Sequence, residues 1–173
     1  GVGRKLLDAS LTYADGCERA TILSSTDPRA IRSYATSGFA LFPQMSASGK
    51  PTVVAAPDSV ARVRAGGIDD RELADTVDRS TRGATRGPDH ELIGAMAPMY
   101  VVDDDSGRGY AYLRDDAVYL LAATNDDTAA ALLWRCFVRS AELNLDTHVD
   151  HMTGEQQWAI DACFAVRLKV KPD

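Results

Sequence analysis

The order helix, strand, helix, strand is predicted twice along the 173-residue chain, at residues 3–43 and again at about residues 127–171. Each run closes on an apolar strand followed by a proline, Pro43 in the first and Pro172 in the second. A repeated order constrains the fold strongly, because each copy is expected to form a structural unit of the same kind. Three more strands precede the second copy, and we expect equivalent strands to precede the first copy, before Gly1.

The elements of the first copy follow from apolar spacing, capping residues and β-branched runs. Asp27 followed by Pro28 is typical of a helix start, since aspartate caps the first turn and proline suits its geometry. Glycine is typical of helix ends, and Gly16 and Gly38 close the two predicted helices. The predicted elements are a helix at 3–15, a buried strand at 20–23, a helix at 28–37 and a strand at 39–42.

The second half contains clearer strand and helix patterns. Residues 44–68 are predicted to be loop with one short strand at 52–54, and residues 69–82 a mostly polar helix. A capping box at residues 153–156 marks the start of the last helix. The remaining predicted elements are antiparallel strands at 100–102, 109–114 and 118–122, a helix from about 127 to 141, and strands at 147–149 and 168–170. The fold class is therefore α/β (α+β), with mixed, mostly antiparallel sheets flanked by helices.

Composition narrows the classes of function. The net charge is −6 and the pI about 5.0, which argues against binding to nucleic acid or to anionic membranes. Three widely spaced cysteines, Cys17, Cys136 and Cys163, fit reduced thiols in a cytoplasmic protein. The sequence has no apolar run of transmembrane length and no signal-peptide pattern. We therefore expect a cytoplasmic protein.

The first seven residues, Gly-Val-Gly-Arg-Lys-Leu-Leu, place two glycines at the mouth of a predicted helix. Backbone N–H groups without neighbouring side chains can approach a phosphate closely, and the helix dipole favours its negative charge. Further on, an A-x-x-x-Y-x-x-x-G-F pattern is formed by Ala30, Tyr34, Gly38 and Phe39. Together the two pieces resemble the GCN5-related N-acetyltransferase (GNAT) superfamily, in its tandem-domain bacterial type.

The resemblance implies that the start of the first helix binds the pyrophosphate of acetyl-CoA, the co-substrate. The amides concerned are those of Gly1, Val2, Gly3, Arg4 and Lys5. It implies that Tyr34 is the general acid that reprotonates the departing thiolate, which is chemically reasonable because a phenol and a thiol have comparable basicity. An amine then attacks the thioester directly, with no covalent enzyme intermediate. The acceptor is expected to be a primary amine on a small molecule or peptide, and no general base can be assigned.

The second copy lacks the residues that carry this chemistry in the first. Pairing the closing strands of the two copies places Cys163 opposite Tyr34, and Ala130 and Leu132 near the positions of the two glycines. This copy therefore has neither a flexible phosphate loop nor a hydroxyl. We predict that it has the fold without the catalytic function.

The resulting prediction is an acetyl-CoA-dependent N-acetyltransferase. Residues 1–55 are predicted to be the C-terminal half of a first GNAT domain, and residues 56–173 a second, degenerate GNAT-like domain. The second domain is expected to support the first, either by shaping the acceptor cleft or by forming a homodimer interface. Part of the phosphate loop and the splayed strand that admits the acetyl group would precede Gly1, so activity is expected to need those residues. The alternative is a non-catalytic GNAT-like module for binding or oligomerisation.

Other polar residues are predicted to be structural, and no metal site is predicted. His148 and His151, three residues apart beside acidic residues, are interpreted as a pair in a surface loop. His90 is interpreted as a helix-start residue, and the acidic run at 103–107 as a hairpin turn rather than a calcium loop. Three arginines are assigned to a solvated helix face, with pairing to Asp75 and Asp78; they are Arg79, Arg82 and Arg86.

Overall fold

Residues 1–17 and 20–173 are described by the computed structural model, in two units, Gly1–Phe42 and Pro43–Asp173. The units part between Phe42 and Pro43, and the first strand after Pro43 belongs to the sheet of the second unit. The assignment of the first 55 residues to a separate GNAT domain stays a prediction. None of the helices in the described ranges is long and apolar enough to cross a membrane.

The first unit contains two helices, α1 (Val2–Tyr13) and α2 (Pro28–Ala35), which confirms both predicted helices. The predicted cap of α2 is present, since Asp27 accepts a hydrogen bond from the Arg29 amide at 2.8 Å. The predicted glycines follow the two helices with left-handed backbones, at φ 87° for Gly16 and 95° for Gly38. Neither helix has a fully buried residue.

The two strands predicted in this unit are wrong. Residues 20–23 and 39–42 form no ladder, and Leu23, Leu41 and Phe42 are more than half exposed. A β-strand needs a partner for its backbone hydrogen bonds, and the described residues of the first unit supply none. The apolar, β-branched composition of these segments therefore does not suffice to make them strands.

The second unit contains a seven-stranded sheet with four helices, which confirms the predicted fold class. Its strands are β1 (Met45–Gly49), β2 (Arg64–Ala65), β3 (Met99–Asp104), β4 (Gly107–Arg114), β5 (Ala117–Ala123), β6 (Thr147–Met152) and β7 (Lys169–Pro172). Its helices are α3 (Arg71–Arg82), α4 (Asp89–Gly94), α5 (Asp126–Glu142) and α6 (Gln157–Ala165). The strand order is β2-β3-β4-β5-β6-β1-β7, and every pairing is antiparallel except that of β5 with β6.

The strand β1 is missed by the sequence analysis, which assigns its residues to a loop. Its sequence, Met-Ser-Ala-Ser-Gly, is short and rich in small polar residues, so it lacks the alternation that signals a strand. It nevertheless pairs with both β6 and β7. The strand predicted at residues 52–54 is absent; there the Thr52 amide donates to the Val166 carbonyl at 2.8 Å.

The two faces of the sheet are covered by different helices. Alternate residues of β4 point to opposite sides, as strand geometry requires. Tyr110 and Tyr112 pack on the side of α3, whereas Ala111 and Leu113 pack on the side of α5. A second apolar cluster joins α5 and α6 to β1 and β6. The sheet therefore separates two cores, and the α3 side contains unusually polar contacts.

Candidate functional site

The start of α1 has the exposed backbone that anion binding requires. Gly1 is the N-cap, no side chain caps the helix, and no acidic residue lies in its first turn. A Cβ added to Gly1 or Gly3 would meet nothing within 4 Å, so the surface there is open. The Arg4 side chain pairs with Asp8 at 2.9 Å and leaves the backbone uncovered. The amides of Val2, Gly3 and Arg4 have no acceptor within the helix, whereas the Lys5 amide donates to the Gly1 carbonyl at 3.4 Å and is therefore not free for a phosphate, contrary to its predicted role.

The structure places the five predicted coenzyme residues together on this first turn, all exposed, and Tyr34 on the other helix of the same unit. Tyr34 is half-buried, and its ring meets that of Phe39 edge to face, with centroids 6.4 Å apart. Their roles in binding and catalysis stay predictions.

The equivalent helix start in the second unit is closed. Asn125 caps α5 by accepting a hydrogen bond from the Thr128 amide at 2.9 Å, and its own amide donates to the Ser106 carbonyl at 2.8 Å. The turn between β3 and β4 packs against it, so that a Cβ on Gly107 would collide with Asn125 and Thr128. The first turn also carries two acids, Asp126 and Asp127. An anion would meet no free surface here and would be repelled.

The residues that the alignment of the two copies selects are also unsuited to catalysis. Ala130 and Leu132 lie within α5, and Leu132 is fully buried. Cys163 is fully buried against the sulfur of Met152, and burial raises the pKa of its thiol to about 12. A thiol of this kind has neither the exposure nor the ionisation of a reactive cysteine.

A cleft of about 610 Å³ opens between β5 and β6. These parallel strands pair only at Ala117 and His148 and then separate, with Leu133 of α5 and Trp158 of α6 lining the gap. His148 and His151 line the cleft as well; they belong to β6 rather than to a surface loop, which corrects the predicted placement. His151 has a left-handed backbone, with φ 63°, and its Nδ1 lies 2.9 Å from the side-chain oxygen of Gln44.

A buried cluster of hydrogen-bonded polar side chains lies on the α3 side of the sheet in the second unit. The carboxylate of Asp78 is fully buried. It accepts hydrogen bonds from the Tyr110 hydroxyl at 2.6 Å and from the Arg86 amide at 3.2 Å, and it lies 3.1 Å from His90 Nε2. The other ring nitrogen of His90 lies 3.1 Å from the hydroxyl of Tyr112.

These contacts fix the direction of the hydrogen bonds. Because Asp78 accepts from each neighbour, its contact with His90 is satisfied when Nε2 carries the proton. The Tyr112 hydroxyl lies 3.1 Å from the remaining ring nitrogen, Nδ1, and also donates to the His90 carbonyl at 3.4 Å. Burial raises the pKa of Tyr112, while the nearby charge of Arg71 acts in the opposite direction. Burial and the carboxylate of Asp78 also raise the pKa of Tyr110. Both phenols therefore stay neutral donors.

The cluster can also be tested as a metal site. Asp75, Asp78 and His90 each offer one ligand atom, all within 4.8 Å of one another. Each oxygen of Asp78 already accepts a protein hydrogen bond, and the Arg86 guanidinium lies 3.5 Å from Oδ1, the oxygen that accepts from Tyr110. A divalent cation would have to compete with these donors and with the positive charge. The arrangement fits a hydrogen-bonded network better than a metal centre.

Sequence reasoning missed this cluster, although two signals could have found it. Asp78 lies on the apolar face of the helix predicted at 69–82, beside Val77, where a carboxylate needs a partner. Tyr110 and Tyr112 lie two residues apart on one strand and so share one face. His90 is at a helix start, as predicted, but it is buried rather than exposed to solvent. Arg86 does pair with Asp78, but it lies in the loop after α3 and not on a solvated helix face, which corrects that prediction.

The chain resembles solved acetyltransferase structures in its fold. A proposed acetyltransferase from Pyrococcus horikoshii superposes with a TM-score of 0.66 and 13% identity, covering 99% of this chain and 57% of that one. A proposed GNAT-family acetyltransferase from Novosphingobium aromaticivorans DSM 12444 gives a TM-score of 0.55 and 13% identity, covering 76% of this chain and 61% of that one. The chain thus spans less than two thirds of either protein.

At this identity the similarity establishes the fold, and the chain has a GNAT-like fold. No protein-family model matches the sequence, and no curated protein matches it.

Proposed function

We propose that the chain is part of a tandem-domain GNAT enzyme that transfers an acetyl group from acetyl-CoA to a primary amine of a small molecule or peptide. The observation that carries the proposal is the contrast between two helix starts. That of α1 is open, glycine-bearing and free of acids, whereas that of α5 is capped and carries two carboxylates. The acetyltransferase names of the two structural neighbours support the same class of reaction.

In this proposal the amides of residues 1–4 hold the pyrophosphate of acetyl-CoA, because the Lys5 amide already donates to the Gly1 carbonyl. Hydrogen bonds from backbone amides to an anion are charge-assisted and short, and the helix dipole adds a favourable field at the same place. The glycines let the phosphate approach the backbone, since no side chain lies in its path. Lys5 is exposed and adds a positive charge near this helix start.

Tyr34 is proposed to donate its hydroxyl proton to the coenzyme A thiolate as the amine attacks the thioester carbonyl. The C–N bond forms, the C–S bond breaks, and the phenol proton ends on sulfur. The acceptor amine loses its own proton to a base that this chain does not identify. The half-buried ring of Tyr34, packed against Phe39, would hold the hydroxyl in a defined direction.

The second unit is proposed to be non-catalytic. Its closed α5 start and its buried Cys163 support this part of the proposal. A cytoplasmic location is proposed as well, supported by three free cysteines.

The helix start can be tested with one substitution that separates binding from folding. Gly3→Asp adds an acid to the first turn of α1, where it favours the helix but repels a phosphate. We expect acetyl-CoA to bind at least about tenfold more weakly by titration calorimetry. Gly154→Asp is the matched control, because Gly154 also begins a helical turn beside open space. Equal affinity for the wild type and Gly3→Asp would contradict the proposed phosphate site.

The role of Tyr34 is tested by Tyr34→Phe, which removes only the hydroxyl. We expect turnover with an amine acceptor to fall by about 10²–10⁴-fold. Turnover is measured as the release of free thiol. Acetyl-CoA affinity should change little. Unchanged turnover would remove Tyr34 from the mechanism. Absence of acetyl-CoA binding to the wild-type chain would favour the non-catalytic module instead.

A further inference from the structure

A second cavity, of about 500 Å³, lies beside the buried polar cluster of the second unit. We call it the α4 cavity. Its wall includes the side chains of Ile68, Arg71, His90, Glu91, Met99 and Tyr112. Its volume is in the range of pockets that hold small organic ligands. It belongs to the second unit alone and is independent of the proposed acetyl transfer.

Arg71 is the polar group in this wall whose bonding is incomplete. Its side chain is only 28% exposed, and its Nε is buried with no hydrogen-bond partner among the described residues. The neighbouring carboxylates stand back, Asp75 at 3.5 Å and Glu91 at 3.7 Å. Charge-assisted hydrogen bonds of arginine are normally shorter, about 2.7–2.9 Å. Arg64, in contrast, meets Asp70 at 2.6 Å.

The two acids near Arg71 leave room for another anion. Glu91 lies at the rim, with its side chain 70% exposed, so water competes for its charge. Asp75 is not part of the cavity wall. Because Nε has no exposed surface and lies nearest to Asp75, an incoming carboxylate would pair with the terminal nitrogens of the guanidinium, of which Nη1 is on the side of Glu91. A guanidinium matches the planar geometry of a carboxylate and can form a bidentate pair with it.

The other side chains of the cavity wall favour a ligand whose remaining part is uncharged and apolar. Ile68 and Met99 offer aliphatic surface, and Tyr112 offers its ring. The Tyr112 hydroxyl is engaged with His90, whose other nitrogen is engaged with Asp78, so this side of the wall presents no free anion. A ligand in the α4 cavity would therefore have one polar end, and that end would be directed at Arg71.

We infer that the α4 cavity binds a small monocarboxylic acid with an apolar body, and that Arg71 recognises its carboxylate. Every ligand of this class has one planar carboxylate attached to a small aromatic or aliphatic group. Amines and neutral amides of the same shape lack the group that Arg71 needs. The inferred role of the Asp78–His90–Tyr112 chain is to position the Tyr112 ring, which forms part of the wall.

The test is binding of benzoate, phenylacetate and hexanoate to the full chain, measured by calorimetry or ligand-observed NMR. We expect at least one of them to bind with a Kd of about 1 mM or tighter. Phenylacetamide and phenethylamine, which match phenylacetate in shape, are expected to bind at least about tenfold more weakly. Failure of all three acids to bind at about 10 mM, or equal binding of acid and amide, would overturn the inference.

The Arg71→Gln variant assigns binding to this cavity. We expect it to weaken carboxylate binding at least about tenfold, and Arg71→Lys to have an intermediate effect because lysine keeps the charge without the fork. Arg139→Gln is the matched control, since Arg139 also pairs with two acids, Asp115 and Glu142, and does not line the cavity. Circular dichroism establishes that each variant is folded. Unchanged affinity in folded Arg71→Gln would place the acid elsewhere and overturn the inference.

Discussion

The carboxylate of Asp78 is fully buried and is stabilised by neighbours from three parts of the second unit. Tyr110 belongs to β4, His90 to α4, and Arg86 to the loop between α3 and α4. Burying a charge without hydrogen bonds is strongly unfavourable, so these donors must be present together. The cluster therefore ties α3, α4 and the sheet into one arrangement.

Asp78→Asn tests this role with little change of shape. A carboxylate only accepts hydrogen bonds, whereas the side-chain amide nitrogen of asparagine donates them. This nitrogen would face the donors of the neighbouring side chains, and those buried donors would lose their acceptor. We expect the free energy of unfolding in urea to fall by about 3 kcal/mol. Asp103→Asn is the control, since Asp103 is 43% exposed in a pair with Arg108, and it should change stability by less than about 0.5 kcal/mol. Equal midpoints for Asp78→Asn and the wild type would contradict the account.

The cysteines differ in accessibility in a way that thiol labelling can measure. Cys17 is exposed, whereas Cys136 and Cys163 are buried, and burial raises the pKa of both buried thiols to about 12. Thiolate is the reactive form, so we expect Ellman's reagent to modify Cys17 alone in the native chain at pH 8, and all three cysteines in denaturant. The Cys17→Ser variant should lose the rapid reaction. Rapid native labelling of Cys17→Ser would show that the core is more open than described.

At individual positions, the sequence predicts a residue's role where a family pattern or a particular backbone conformation calls for that residue type. The glycines that follow α1 and α2, and the Asp27 cap, are read from local chemistry, and the structure contains them. The partners of Asp78 and His90 depend on how distant segments meet. Local patterns can mark Asp78 and the two tyrosines as unusual, but they do not say which of these side chains meet, and the polar cluster was therefore not predicted.

The start of helix α5 is poorly suited to an anion. Asn125 caps the Thr128 amide, and Asp126 and Asp127 place negative charge in the first turn. The sequence predicted an inert second copy from the absence of glycines and a hydroxyl. The structure adds the closed helix start as a physical reason.

The predicted strands of the consecutive hairpins and those at 147–149 and 168–170 are confirmed, whereas the strands predicted at 20–23, 39–42 and 52–54 are absent and β1 was missed. The hairpins of β3, β4 and β5 combine apolar alternation with short turns, so local sequence suffices. β1 depends on β6 and β7, which lie about a hundred residues away in sequence. Its small residues suit a central position, where Ala47 is fully buried. Residues 20–23 have the composition of a strand but no ladder partner.

The turn at Asp58–Arg62 is held to the β3–β4 hairpin by an ion pair that should respond to acid. Arg62 contacts Asp104 at 2.8 Å and holds the pKa of that carboxyl at about 2, below its ordinary 3.8. A carboxyl whose pKa is lower in the folded state stabilises that state above the unfolded value. This contribution is lost as the pH falls from about 4 through about 2.

We therefore expect the Tm of the wild type to fall more steeply between pH 4 and pH 2 than that of Arg62→Gln, measured by calorimetry. Lys50→Gln is the control, because Lys50 contacts the neutral side chain of Asn144 at 3.1 Å. It should keep the steep wild-type slope. Identical slopes for Arg62→Gln and the wild type would contradict the assigned role of this pair.

The chain as a whole contains two units, Gly1–Phe42 and Pro43–Asp173. The fold class and the order of elements from β3 to β7 follow from sequence, because helices and hairpins are local. The boundary does not, because β1 lies early in the chain and yet in the interior of the second sheet. The GNAT-like fold is established by the structural neighbours, while the tandem arrangement and the acetyl-CoA site remain proposals.

The most direct test of the proposed division of roles is hydrogen–deuterium exchange of the full chain with and without acetyl-CoA. The account predicts slower exchange at the start of α1, since its amides would hold the pyrophosphate, and no change at the start of α5. Protection at α5 and in the cleft between β5 and β6, with none at α1, would contradict it, because the coenzyme would then occupy the unit proposed to be non-catalytic.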